Sequence, residues 1–283
     1  MSFGTILSVD DLRALLDGGA DVFIADCEFD LGDPGKGRRV HAEGHIPGAH
    51  YLHLDEDLAA KPEGTNGRHP LPTREAFAAR MRALGLKRGQ QVIAYDGAGN
   101  PYAARLWWML KWLGHEPVAV LDGGRAAWIA AGLPLTAGEV ADGPEGDFTA
   151  ANPLLAQPVD AAAVLANITA PDAQLLDARA PDRFAGQPNP LDPVPGHIPG
   201  ARCRFFRDNL TPEGRFKAPA ELAADFAPLL DGKPALLSCG SGVTACHNAL
   251  AMEIAGLSSA RLYPGSWSEW ISAPARPVET GGG

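Results

Sequence analysis

Short apolar runs alternate along the chain with longer segments whose apolar residues recur at helical spacing. The runs predict β-strands at 23–25, 91–95, 118–121, 175–176 and 235–238. The periodic segments predict helices at 9–16, 74–84, 102–113, 220–230 and 244–255. Because strands that alternate with helices form parallel sheets covered on both faces, the pattern predicts an α/β fold with mostly parallel sheets flanked by helices.

The chain carries an internal duplication. The string Gly-His-Ile-Pro-Gly-Ala occurs at 44–49 and again at 196–201. Three other blocks recur in the same order: 22–26 with 174–177, 92–97 with 235–240, and 121–128 with 262–270. Chance does not produce four ordered blocks at nearly constant offset, so the sequence predicts two copies of one domain.

A boundary between the copies follows from composition. The stretch 139–157 is rich in Gly, Pro, Ala and acidic residues and lacks periodicity, which predicts a linker. The first domain is then 1–138 and the second is 158–283. The tail 274–283 ends in three glycines and is predicted to be disordered.

Composition and charge narrow the class of protein. The 283 residues leave room for two domains, and the net charge of −10 disfavours nucleic acid or an anionic membrane as the main partner. No apolar run approaches the roughly 18 residues of a membrane helix, and the N-terminus lacks the pattern of a secretory signal. Four cysteines are too few for a disulfide scaffold. We therefore expect a cytoplasmic protein with mostly reduced thiols.

One loop combines a nucleophile with a helix N-terminus. It lies between the predicted strand 235–238 and the helix that follows, where ligands bind in parallel α/β folds. The loop consists of Cys239, Gly240, Ser241, Gly242, Val243 and Thr244. Two glycines allow a tight curl that turns several backbone N–H groups inward as an anion-binding nest. The sulfur of Cys239 is expected to point into that nest.

The nest predicts a reactive cysteine. A thiolate is the nucleophile, and a helix N-terminus favours the thiolate form. The same amides could hold the outer sulfur of a persulfide. The alternative is that Cys239 is a small buried apolar residue, which the flanking glycines disfavour. The first copy has Asp96 at the equivalent position, and a carboxylate cannot carry sulfur. The first domain is therefore predicted to be non-catalytic and the second catalytic.

The duplication, both His-Ile-Pro-Gly-Ala strings and the Cys-Gly-Ser-Gly-Val-Thr loop resemble the tandem-domain, rhodanese-like sulfurtransferases over about residues 5–272. The loop is similar to that of the 3-mercaptopyruvate sulfurtransferases, whereas thiosulfate-using relatives place bulky basic residues after the cysteine. The resemblance implies that Cys239 takes a sulfane sulfur from a small anionic donor and passes it, as a persulfide, to cyanide or a thiol. A thioredoxin-like protein is one candidate acceptor. No metal or organic cofactor is implied, because the cysteine carries the group itself.

An anionic donor needs cationic contacts. Arg179 and Arg183 follow the strand 175–176 and are candidates, since a guanidinium can bind a carboxylate with two hydrogen bonds. Arg183 resembles the family's substrate arginine, with Asp182 in place of a glycine. The resemblance also implies a second arginine nine residues beyond the first, where this chain has Asp192. This departure leaves thiosulfate open as the donor.

The resemblance further implies a Ser–His–Asp proton relay in a cleft between the domains. Ser241 and His45 match by motif, and Asp33 is a candidate for the acid. Such a relay could protonate the enolate that forms as sulfur leaves. His45 and His197 occupy the same corner in both copies, however, including the copy without a cysteine. This recurrence favours a structural role for both histidines.

A reactive cysteine allows two other functions. Cysteine-dependent phosphatases need an arginine six residues after the cysteine, and this chain has Ala245 there, which disfavours phosphate chemistry. The second alternative is a sulfur-carrier or interaction module without turnover. Kinetics with a small donor would separate it from an enzyme.

Overall fold

The computed structural model describes residues 2–97, 99–138, 140, 143–257 and 260–282. The chain divides into two compact units. The first unit contains Met1–Ala60, Pro72–Leu154 and Pro212–Phe216. The second contains Lys61–Leu71, Leu155–Thr211 and Lys217–Gly283. The predicted boundary lies at 139–157, and two segments do not follow it. Residues 61–71 precede the boundary but belong to the second unit, and residues 212–216 follow it but belong to the first.

The first unit is built on a parallel five-stranded sheet in the order β1-β5-β4-β2-β3. Its strands are β1 (Ile6–Leu7), β2 (Val22–Asp26), β3 (His50–Tyr51), β4 (Gln91–Tyr95) and β5 (Val118–Leu121). Its helices are α1 (Val9–Asp17), α2 (Lys36–Glu43), α3 (Arg74–Ala83), α4 (Pro101–Trp112) and α5 (Gly124–Ala130). The apolar strands are buried on both faces, as parallel sheets require.

Local sequence fixes the ends of these helices and the core beneath them. The Ser8 hydroxyl accepts the Asp11 N–H at 3.1 Å while the Asp11 carboxylate accepts the Ser8 N–H at 3.0 Å, a capping box that starts α1. Every residue of α4 is buried, including the two charged residues Arg105 and Lys111, and its other residues are apolar or aromatic, as expected of a helix covered on all sides. Ile24, Ile93 and Trp128 belong to the buried cluster between sheet and helices.

The second unit repeats the arrangement with a four-stranded parallel sheet in the order β7-β6-β8-β9. Its strands are β6 (Gln174–Asp177), β7 (Arg202–Cys203), β8 (Ala235–Ser238) and β9 (Arg261–Leu262). Its helices are α6 (Ala161–Thr169), α7 (Pro181–Ala185), α8 (Pro219–Leu230), α9 (Thr244–Ile254) and α10 (Ser266–Trp270), with a 3-10 turn at Phe206–Asn209. Pairing of β6 with β8 aligns Asp177 with Ser238, so both strands end at one edge.

The predicted α/β fold with two parallel sheets is confirmed, and the predicted strands and long helices are present with small shifts at their ends. The helices that the periodicity did not predict include α5, α7 and α10, which have seven, five and five residues. Helices this short give no recognisable period, and their position depends on the strands that precede them.

The predicted linker is partly fixed to the first unit. The N–H of Gly146 donates to the Arg82 carbonyl oxygen at 2.9 Å, and that of Phe148 donates to Leu86 at 3.1 Å. The Phe148 side chain is buried. One large apolar residue thus anchors a segment that lacks periodicity. Glu139, Ala141 and Asp142 lie outside the described residues.

The prediction of a disordered tail is wrong for its described part. His197 and Glu279 exchange two backbone hydrogen bonds, at 2.8 and 2.9 Å. The N–H of Gly281 donates to the Ala185 carbonyl oxygen at 3.0 Å. The tail therefore forms an isolated antiparallel bridge with the Gly-His-Ile-Pro-Gly corner, a long-range pairing that local composition does not reveal. Gly283 lies outside the described residues.

Among the described residues, none of the helices is both long enough and apolar enough to cross a bilayer.

Candidate active site

The cysteine loop lies where the sequence places it, at the carboxyl end of a central strand. β8 ends at Ser238 and α9 begins at Thr244. Gly242 has a φ of +78°, and a Cβ at this position would clash with the carbonyl oxygen of Pro264. Only glycine meets both conditions without strain, so this residue determines the curl of the loop.

The sulfur of Cys239 lies inside that curl. The N–H of Gly242 points at Sγ with a separation of 3.1 Å, and the cysteine is 2% exposed. Within the described part of the chain this is the one loop amide that reaches Sγ, where the sequence predicted several. A second polar group is near, since the Ser266 hydroxyl lies 4.0 Å from the sulfur.

The start of α10 holds the cysteine from the other side. The N–H of Cys239 donates to Ser266 Oγ at 3.0 Å, and the Cys239 carbonyl accepts the Trp267 N–H at 2.9 Å. The Ser268 N–H donates to the Gly240 carbonyl oxygen at 2.9 Å. Ser266 adopts a φ of +51°, a left-handed conformation that costs a non-glycine residue about 1–3 kcal/mol. Sequence reasoning missed Ser266, because only the fold brings α10 to the loop.

The equivalent loop of the first unit holds an anion of its own. Asp96 follows β4 and is 1% exposed. Its carboxylate accepts the N–H groups of Asn100, Tyr102 and Ala103 at 2.8, 2.9 and 3.0 Å. Ala98, in the same loop, lies outside the described residues. This duplicated loop thus demonstrates that the strand-to-helix turn of this fold can bind a negative charge through backbone amides.

Arg179 is committed to a buried ion-pair network. Its guanidinium donates to both carboxylate oxygens of Asp177 and to the Gly196 carbonyl oxygen, and it lies 4.8 Å above the Trp267 ring. Burial opposes the charge, but the carboxylates of Asp177 and Asp192 outweigh it and raise the pKa of Arg179. The described hydrogen bonds of the Arg179 guanidinium go to groups of the protein itself, which indicates a structural role beside the loop.

Arg183 is also paired, but it remains more accessible. Its Nε and Nη2 donate to the two carboxylate oxygens of Asp192 at 2.8 and 2.9 Å. The Arg183 side chain is 20% exposed, whereas that of Asp192 is 2% exposed. Asp192, which stands where the resemblance implies a second arginine, thus forms an ion pair with Arg183 and neutralises its charge. An added methyl on Gly240 would lie 3.0 Å from Arg183 Nη2, so the guanidinium adjoins the loop.

Two site residues come from a segment that sequence reasoning left unassigned. His69 Nδ1 lies 2.8 Å from Ser241 Oγ, and both side chains are buried. The preceding Arg68 donates its backbone N–H to Ser268 Oγ at 2.9 Å. Both residues belong to 61–71, which is part of the second unit. The sequence feature that could have indicated these two residues is the Gly-Arg-His-Pro string at 67–70, which the other copy lacks.

The structure places the other relay candidates in the first unit. His45 Nδ1 lies 2.9 Å from the His41 carbonyl oxygen, and the two rings stack at 3.9 Å. Asp33 forms an ion pair with Arg39 and does not contact His45 among the described residues. His197 repeats the pattern, with Nδ1 2.8 Å from a carbonyl oxygen in its own unit. The parallel agrees with a structural role for the corner histidines, and the described partner of Ser241 is His69.

Comparisons with known proteins identify the family. The rhodanese-like domain family matches residues 8–131 and again 160–273. A Pseudomonas aeruginosa protein named "Probable 3-mercaptopyruvate sulfurtransferase" is 49% identical over 99% of this chain and 100% of its own length. The Arabidopsis thaliana "Thiosulfate/3-mercaptopyruvate sulfurtransferase 2" is 35% identical over 96% of this chain and 86% of its own.

A solved structure agrees with the sequence relatives. The Escherichia coli 3-mercaptopyruvate sulfurtransferase SseA superimposes with a TM-score of 0.80 at 34% identity, covering 94% of this chain and 99% of that one. The first matched segment contains strands β2 to β5 of the first sheet, and the second contains all four strands of the second sheet together with Cys239. The chain therefore belongs to the rhodanese-like family, as a sulfurtransferase with two such domains in tandem.

Proposed function

We propose that the chain transfers sulfur from 3-mercaptopyruvate to a thiol or cyanide through a persulfide on Cys239. The observation that carries this proposal is the buried sulfur of Cys239, contacted by the Gly242 amide and adjoined by the Ser241–His69 pair. The full-length relative at 49% identity supports the same donor.

The first half-reaction needs a nucleophile and a proton. The Cys239 thiolate attacks the donor sulfur, an S–S bond forms, and the carbon–sulfur bond breaks with its electron pair remaining on carbon. The resulting pyruvate enolate takes a proton at C3, and the donor thiol supplies a proton in the net reaction. The Ser241 hydroxyl, hydrogen-bonded to His69, is the group proposed to deliver that proton.

The second half-reaction returns the cysteine. A thiolate or cyanide attacks the outer sulfur, the S–S bond breaks, and its electron pair restores the Cys239 thiolate. Because Cys239 is only 2% exposed, the acceptor has to be a small molecule or a thiol at the end of a narrow group. A thioredoxin-like protein stays a proposed acceptor that presents such a thiol.

Thiosulfate is the second candidate donor. The bidentate pair between Arg183 and Asp192 leaves it open, because that pair neutralises the arginine that resemblance assigns to the mercaptopyruvate carboxylate. With thiosulfate the leaving group is sulfite, which departs with the electron pair and requires no proton on carbon. An assay that compares the two donors therefore separates the candidates, because only 3-mercaptopyruvate requires a proton on carbon.

The test uses Cys239→Ser with Cys203→Ser as the matched control. Cys203 is a half-buried thiol whose Sγ faces the Arg179 carbonyl oxygen, and burial raises its pKa to about 11. We expect Cys239→Ser to abolish thiocyanate formation and Cys203→Ser to retain it. Mass spectrometry after donor treatment should place one added sulfur on Cys239.

The two donors are then compared at equal concentration with one acceptor. A higher kcat/KM for 3-mercaptopyruvate supports the proposed donor, and a higher value for thiosulfate transfers the assignment to the second candidate. Sulfur addition at another thiol, or thiocyanate formation by Cys239→Ser near the wild-type rate, would overturn the proposal.

A further inference from the structure

A buried carboxylate faces the guanidinium groups beside the cysteine loop. Asp192 accepts hydrogen bonds from Arg183 Nε and Nη2 at 2.8 and 2.9 Å, and its Oδ2 lies 3.4 Å from Arg179 Nη1. A methyl group added to Gly240 would lie 3.0 Å from the same Nη2 of Arg183. This nitrogen thus adjoins both Asp192 and the residue next to the nucleophile. The charge of Asp192 therefore acts on the side of the loop where an anionic donor needs cationic contacts.

The charges on this side of the loop largely compensate one another. The side chains of Arg68, Arg179 and Arg183 all lie within 4 Å of a methyl group placed on the glycine after the nucleophile. Asp177 pairs with Arg179. Asp192 pairs with Arg179 and with Arg183. Among these described side chains, three positive charges therefore meet two negative ones. The arginine that the resemblance implies in place of Asp192 would add two positive charges to this total.

The backbone holds Asp192 in this position before a donor binds. The side-chain oxygen of Asn189 accepts the N–H groups of Leu191 and Asp192, each at 3.0 Å. Asn189 and Asp192 also form an isolated antiparallel bridge, and Pro190 and Pro193 restrict the backbone on either side. The Asp192 side chain is 2% exposed, so water and salt screen its charge less than they would at the surface.

We propose that Asp192 is a specificity-determining residue that makes the site discriminate against donors with two negative charges. The inference rests on the proposed function for the reaction and for its two candidate donors. Coulomb energy is proportional to the charge of the donor, so repulsion by Asp192 is twice as large for a dianion as for a monoanion. Thiosulfate is a dianion. 3-Mercaptopyruvate carries one negative charge at neutral pH, because a thiol has a pKa of about 8.5.

A purely structural role for Asp192 leads to a different expectation. In that case, loss of the ion pair would release the Arg183 side chain and weaken the binding of every donor. If the carboxylate instead opposes the donor through its charge, loss of that charge improves donor binding. The improvement is larger for a dianion, and because a doubled free energy corresponds to a squared ratio of affinities, the two gains are linked.

Steady-state kinetics of Asp192→Asn, which removes the charge and keeps the shape of the side chain, provide the first test. Asp172→Asn is the matched control, since Asp172 pairs with Arg261 at the surface of the same unit. We expect Asp192→Asn to lower KM about fivefold for 3-mercaptopyruvate and about 25-fold for thiosulfate, with smaller changes in kcat. Asp172→Asn should change neither KM. A higher KM for both donors, or equal decreases, would overturn the proposal.

Alkylation of Cys239 provides a test that does not depend on sulfur transfer. Iodoacetate and iodoacetamide are nearly equal in shape, but only the first is an anion. We expect the ratio of the iodoacetate rate to the iodoacetamide rate, mapped to Cys239 by peptide mass spectrometry, to rise about fivefold in Asp192→Asn. The ratio should stay constant in Asp172→Asn. Thermal unfolding checks that each variant is folded, and Asp192→Ser, which also removes the charge, replaces Asp192→Asn if the latter is not.

The outcomes separate this inference from the proposed function. A higher alkylation ratio without turnover of either donor supports the role of Asp192 and contradicts the proposed function. Normal turnover with an unchanged ratio and unchanged KM values in folded Asp192→Asn overturns the role of Asp192 alone.

Discussion

His69 Nδ1 lies 2.8 Å from the hydroxyl oxygen of Ser241, two residues beyond the nucleophilic cysteine. Removal of this hydroxyl should affect only the donor that needs a proton on carbon. We expect Ser241→Ala to lower kcat with 3-mercaptopyruvate about 100-fold, while kcat with thiosulfate changes by less than about threefold. Steady-state kinetics with both donors and one acceptor measure the difference.

His69→Gln should reproduce this donor-dependent loss, because the ring orients the hydroxyl. Equal losses with both donors would show that Ser241 and His69 only shape the loop. If His45→Gln gives the donor-dependent loss and His69→Gln does not, the proton passes through the histidine that the resemblance implied.

Ser266 is predicted to support both the fold and the nucleophile. Ser266→Ala leaves the buried N–H of Cys239 without an acceptor, which should lower the free energy of unfolding by about 1–3 kcal/mol. Ser266→Gly loses the same hydroxyl but relieves the left-handed backbone at φ +51°. We therefore expect Ser266→Gly to be the more stable variant in chemical denaturation. Equal stability would show that the backbone conformation carries no measurable cost.

The sequence predicts the central strands and the cysteine loop because both depend on local pattern. β8 is a continuous apolar run, and Gly242 is required by the loop that it forms. His69 and Ser266 could not be found in this way. His69 lies in the first copy along the chain but packs in the second unit, and Ser266 reaches the loop through a five-residue helix. Long-range placement of this kind leaves no periodicity in the sequence.

Asp96 is predicted to stabilise the first unit without taking part in sulfur transfer. Asp96→Ala removes the acceptor for three buried N–H groups and should lower the free energy of unfolding by roughly 2–4 kcal/mol. Asp96→Asn keeps one oxygen and should lose less. Chemical denaturation measures both variants. A neutral effect of Asp96→Ala would mean that water satisfies these amides equally well.

Glu28 should make stability depend on pH. Burial, then the charges of Asp96 and Asp26, raise its pKa from 4.5 to about 7. The folded chain therefore holds a proton that the unfolded chain releases between these values, and stability falls as pH rises through this window. We expect the stability advantage of Glu28→Gln over the wild type to grow from about pH 4.5 to about pH 7 and then to remain constant.

Denaturant titrations of the wild type and Glu28→Gln at pH 4.5, 6, 7 and 8 measure this difference. An advantage that is the same at every pH would show that Glu28 titrates normally in the folded chain.

The three amide bonds to the Asp96 carboxylate have a consequence for the life of the enzyme. A carboxylate is not oxidised by peroxide and does not accept sulfane sulfur, so Asp96 keeps one chemical form under conditions that modify a thiolate. The sulfur of Cys239 alternates instead between two chemical forms and is open to oxidation. Gene duplication has thus produced one turn with a fixed carboxylate and one turn whose sulfur changes its chemical form with each reaction. Oxidation of Cys239 leaves the turn of Asp96 intact.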